Sequence, residues 1–131
     1  MLNLVPIQFL ALFGYFILRV VIGLVFLYLA RNQYAERQSL AQSLNRPFIP
    51  GLFAVTIIVA IESIIGVLFI LGAFTQVAAV LAVLWSLALL LCRTYFSHPS
   101  LPTPQTTVLI LAIALSLFIT GAGVLAFDLP I

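Results

Sequence analysis

The sequence predicts an all-α integral membrane protein, a four-helix bundle of antiparallel up-down topology. Three observations predict it. Apolar residues make up 65% of the 131 and charged ones only 6%, against about 25% charged in a soluble domain. Four long apolar runs follow one another, separated by segments rich in proline, glycine or arginine. None of the runs alternates apolar with polar, as a membrane β-strand would. Five arginines and three acids are too few to solvate a globular surface, so residues 1–131 read as a single transmembrane domain.

The first run, Leu4 to Ala30, predicts a span over about 5–30, with Pro6 in its first turn. No basic segment precedes it and no small-x-small site with a polar mature sequence follows, so a retained helix is expected rather than a cleaved signal. Residues 31–50 form the one long polar connection. Within it, Tyr34, Ala41, Leu44 and Phe48 recur at helical spacing opposite Glu36, Arg37 and Gln38. Either a short helix on the membrane surface or an irregular solvated loop fits that pattern.

Pro47 and Pro50 precede the second span, about 51–72, and Gly72 ends it. The link Gly72-Ala73-Phe74-Thr75-Gln76 is so short that spans two and three must form an antiparallel hairpin, with Thr75 available as a cap for the third, about 75–96. Pro99, Pro102 and Pro104 keep the next connection non-helical, and the fourth span covers about 106–127. A bilayer crossing takes about 20 residues. Arg31, Arg37 and Arg46 lie in the first connection and Arg93 opens the third, while the hairpin turn carries none. The positive-inside rule then places loops 31–50 and 97–105 in the cytoplasm and both termini opposite.

Two charges interrupt the apolar runs. Arg19 stands mid-way along the first and Glu62 mid-way along the second. A charged side chain at bilayer centre costs about 2.5–3.5 kcal/mol on insertion scales, so such residues face a protein interior and mark function by default. Midpoints of antiparallel spans share a depth, so an Arg19–Glu62 ion pair is expected. It is either a clip between two helices or a pocket for a polar head group, a quinone carbonyl or a proton. Each charge is followed one turn later by a glycine, Gly23 and Gly66, the spacing that lets helix backbones approach closely.

Other chemistry is sparse. Cys92 has no second thiol to pair with, which argues against a membrane thiol oxidase, and it reads as a packing residue near a helix end. His98 sits in a proline-rich loop with no second histidine for a haem and no carboxylate at metal-ligand spacing, so no metal site is expected. Trp85 and Tyr15 read as packing or lipid-facing. No nucleophile elbow, phosphate loop or dinucleotide fingerprint is present. Five scattered arginines do not make a nucleic-acid surface.

Three segments in register resemble the DoxX family of small four-helix membrane proteins. They are Leu18-Arg19-Val20-Val21-Ile22-Gly23-Leu24-Val25-Phe26, the stretch Ile61-Glu62-Ser63-Ile64-Ile65-Gly66 running on to Gly72 and Thr75, and Thr120-Gly121-Ala122-Gly123 leading to Asp128. The family-like positions are Arg19, Gly23, Glu62, Gly66, Gly72, Gly121, Gly123 and Asp128. Relatives usually carry a glycine and a basic residue near the end of helix one, where this chain has Ala30 and Gln33. After the glycine turn it has Gln76 where a basic residue is usual.

The resemblance implies association with quinol oxidase and thiosulfate:quinone oxidoreductase subunits in a prokaryotic plasma, intracytoplasmic or thylakoid membrane. The expected function is an accessory subunit of a larger respiratory or photosynthetic redox complex, without catalytic activity of its own. The alternative is a quinone-interacting oxidoreductase subunit built on the Arg19–Glu62 pair. A transporter is disfavoured by the lack of inverted repeats or broken helices. Quinone is the one cofactor this reading admits. The expected partners are the lipid bilayer and other membrane subunits, as hetero- or homo-oligomer.

Overall fold

The computed structural model describes residues 5–44, 50–72, 74–93, 99 and 101–120. Among them the chain forms five helices and no strand: α1 (Val5–Ala35), α2 (Arg37–Leu44), α3 (Gly51–Leu71), α4 (Thr75–Cys92) and α5 (Pro104–Thr120). Three stretches are long and apolar enough to cross a bilayer: Phe13–Ala35 within α1, α3 and α4. The fourth apolar helix, α5, is shorter over its described length. The expected ends of spans three and four, 94–96 and 121–127, lie outside the described residues.

The first helix runs past its expected end at residue 30. Nothing between Arg31 and Ala35 breaks a helix, and burial of Gln33 holds that turn in place. Only Glu36 interrupts the ladder. Its N–H still donates to Asn32 O at 3.1 Å, and Leu40 N–H donates to Glu36 O at 3.0 Å. The polar connection therefore contains a helix, α2. Leu40 and Ala41 on its inner side are buried against Val55, with Val59 and Leu101 beside them. Close approach here requires glycine at the start of α3, since a Cβ on Gly51 would overlap the carbonyl of Ala41.

The hairpin between α3 and α4 closes through two left-handed residues. Gly72, at φ 67°, donates its N–H to Leu68 O and Phe69 O, satisfying carbonyls at the end of α3. Phe74, at φ 52°, holds the N-cap position of α4, and Thr75 is the first helical residue rather than the cap. At α5 the capping is conventional. Thr103 Oγ1 accepts the N–H of Thr106 at 3.3 Å, and Pro104 fills the first helical position, where no N–H is needed.

Contacts between α1 and α3 establish an antiparallel register. Gly23 meets Gly66 and Ile70, the Phe26 and Phe69 rings stack at 6.3 Å, and Gln33 reaches Glu62. As the number rises along α1 it falls along α3. The main core joins Ile22, Phe26 and Leu29 of α1 to Ile65 and Phe69 of α3 and to Ala114 and Leu117 of α5. From α4 come Ala78, Ala79 and Ala82, all fully buried. Side chains this small let α4 lie close against α5, as membrane helices pack where no hydrophobic effect draws them together.

Candidate functional site

At the centre of the packed helices lies a cluster of three polar side chains, one from each of α1, α3 and α4. Glu62 is fully buried, and its Oε1 accepts two hydrogen bonds. One comes from Gln33 Nε2 at 3.2 Å, the other from the indole Nε1 of Trp85 at 3.0 Å. Both donors converge on the same oxygen. Glu62 Oε2 is buried and accepts nothing, and neither does Gln33 Oε1. The orientation of the Gln33 amide follows from the carboxylate: its NH₂ must face Glu62, so its carbonyl faces elsewhere.

The helices explain why these three meet. On α1, the stripe Ile22, Phe26, Leu29, Ala30 and Gln33 repeats at helical spacing and is buried along its length. Gln33 is the polar end of that stripe. On α3, the stripe Val55, Glu62, Ile65, Gly66 and Phe69 faces it. Trp85 lies on α4 beyond the hairpin turn. Its ring is only half-buried, so it alone of the three reaches the outer surface of the packed helices. An unpaired buried acceptor costs about 1–3 kcal/mol, so two in one cluster call for an explanation.

The expected ion pair is corrected. Arg19 is fully buried, with its guanidinium carbon 5.3 Å from the centroid of the Phe16 ring, but it is not among the donors to Glu62. The reason is register. Glu62 stands opposite Gln33, and Arg19 lies fourteen residues earlier on α1, about 21 Å along the axis. The midpoint expectation failed because α1 continues to Ala35 and takes its second half past Glu62. Arg19 instead lies near the depth of the α3–α4 turn, four residues before the Gly23–Ile70 contact.

The family-like glycines divide three ways. A Cβ on Gly23 would stand 2.9 Å from Gly66 O, and one on Gly66 would stand 2.9 Å from Gly23 O, so the backbones of α1 and α3 touch there. Gly72 makes the left-handed turn. Gly121, Gly123 and Asp128 lie outside the described residues, as does His98. Cys92 is exposed at the end of α4 rather than packed. Among the described residues no three His, Cys, Asp or Glu side chains gather as a metal site.

Sequence reading passed over two of the three central residues. Gln33 stood out only as a departure from a basic residue, and Trp85 only as an aromatic. A signal for each was present. Gln33 continues the apolar stripe of α1, and a mid-span indole N–H needs an acceptor that lipid does not supply.

The DoxX family model matches residues 14–93. The chain belongs to the DoxX family. The matched segment holds Arg19, Gly23, Gln33, Glu62, Gly66, Gly72 and Trp85, and so the whole polar cluster of this DoxX-family chain. No curated protein and no solved structure matches it. Family membership and three apolar helices of spanning length make it an integral membrane protein.

Proposed function

We propose that this DoxX-family chain is a membrane subunit of a larger redox complex and that it receives the polar head group of a quinone at the Glu62 cluster. The observation that carries the reading is the one-sided carboxylate. Both protein donors crowd Oε1, while Oε2 and the Gln33 carbonyl stand buried and unmatched. The oxygens of a quinone-type head group would lie against those two open atoms, Glu62 Oε2 and Gln33 Oε1, and Trp85 would offer an indole beside its ring. When bound, the quinone supplies the two-electron chemistry that the side chains lack. The half-buried Trp85 supports entry from the lipid side. In this reading α5 also crosses the bilayer and completes a four-helix bundle, with the arginine-bearing connections in the cytoplasm.

A second reading keeps the chain as a purely accessory subunit that packs against neighbours and seals lipid paths. It draws on the broad apolar exterior, where Leu91, Leu109 and Ile119 stand exposed. One experiment separates the two. The tagged protein is purified in mild detergent, its co-purifying polypeptides are identified, and the same sample is extracted for quinone. Quinone retained by the wild type and lost in Glu62→Leu supports the head-group site. A stoichiometric partner complex, with the same quinone content in both forms, supports the accessory role alone.

A further inference from the structure

With Glu62 ionised, the unmatched atoms of the cluster are both acceptors, and that polarity selects between the two redox forms of a head group. Building on the quinone-site reading above, we infer that the site is made for a hydrogen-bond donor, a reduced aromatic diol, and disfavours the oxidised dicarbonyl. Glu62 Oε2 and Gln33 Oε1 are buried and accept no hydrogen bond. The Trp85 Nε1 donor and one N–H of Gln33 Nε2 are already spent on Glu62 Oε1. A ligand bearing hydroxyl groups brings the missing protons. A ligand bearing only carbonyls sets oxygen lone pairs against oxygen lone pairs among buried side chains.

The carboxylate also makes the preference reversible by design. In Glu62→Gln, the amide oxygen keeps the place of Oε1 beneath its two donors, and the new NH₂ takes the place of Oε2. The open acceptor becomes an open donor, with almost no change of shape. The variant should then accept a carbonyl where the wild type accepts a hydroxyl.

The test is equilibrium dialysis of the full chain in lipid nanodiscs at alkaline pH, which favours the ionised carboxylate. Its probes are a short-chain benzoquinol under reducing conditions and the matching benzoquinone under oxidising ones. The wild type is expected to bind the quinol at least about tenfold more tightly, the factor set by one unmatched buried hydrogen bond. Glu62→Gln is expected to erase or invert that ratio while its circular dichroism and detergent melting stay close to wild type. Gln33→Met, which removes the second open acceptor, is expected to narrow the ratio. Equal affinities in the wild type, or the same ratio in Glu62→Gln, would overturn the donor assignment but leave a quinone site standing. Binding of neither form would overturn the site itself, and this inference with it.

Discussion

The indole N–H of Trp85 donates to the carboxylate of Glu62 at 3.0 Å, tying α4 to α3 at the depth where the buried charge lies. This is the chain's one tryptophan, so its emission reports on the site without labelling. Glu62→Leu removes the acceptor, and the emission maximum is expected to move to shorter wavelength. Arg19→Leu, far along α1, is expected to leave it in place. Trp85→Phe deletes a hydrogen bond to the buried carboxyl and leaves its acceptor short of a donor, for an expected loss of about 1–3 kcal/mol in denaturant unfolding. An emission maximum unmoved by Glu62→Leu would refute the bond.

Arg19 and Glu62 are expected to behave as independent sites. Mutations more than about 7–10 Å apart with no shared partner add within about 0.3–0.5 kcal/mol. Arg19→Leu and Glu62→Leu should therefore give a double variant whose destabilisation is the sum of the two. A double variant that recovers stability would mean the charges pair after all.

Contact between the backbones of α1 and α3 depends on the absence of two side chains. Gly23→Ala places a methyl 2.9 Å from Gly66 O and 2.7 Å from the Ile70 side chain. The first of these obstacles is backbone and cannot swing aside. Overpacking of this kind costs about 1–3 kcal/mol. Both Gly23→Ala and Gly66→Ala should lower the melting temperature in detergent, whereas Gly14→Ala, with open space around it, should not.

The hairpin turn offers a pair of substitutions with opposite signs. Gly72 adopts φ 67° at no penalty, and alanine there is strained, so Gly72→Ala should destabilise by about 1 kcal/mol. Phe74 sits at φ 52° with a side chain that disfavours it. Phe74→Gly should relieve about as much strain, and thermal melting of the two variants beside wild type gives both signs at once.

Much of this architecture can be read from residue order. Four apolar runs, the glycine turn and the prolines before α3 and α5 are local signals, and the helices follow them closely. Burial of Arg19 and Glu62 was legible because a bilayer leaves a charge few other places. Their relative depth was not, because register between helices depends on where α1 stops. Gln33 continues its buried face into a segment whose composition reads as loop. The central hydrogen bonds were hidden for the same reason. Gln33, Glu62 and Trp85 are far apart in sequence, and only the register brings them to one level.

The close bracketing of α4 has a consequence for the surrounding lipid. Its eighteen residues lie between the left-handed Phe74 and Arg93 and span about 27 Å. That is shorter than the roughly 30 Å hydrocarbon layer of an average bilayer. The tight turn prevents the helix from lengthening at one end, and the arginine resists being drawn in at the other. Acyl chains around α4 must therefore compress to meet it, and the protein should partition toward thin, short-chain membranes. Melting temperature measured across phosphatidylcholines of increasing chain length should peak on the short side.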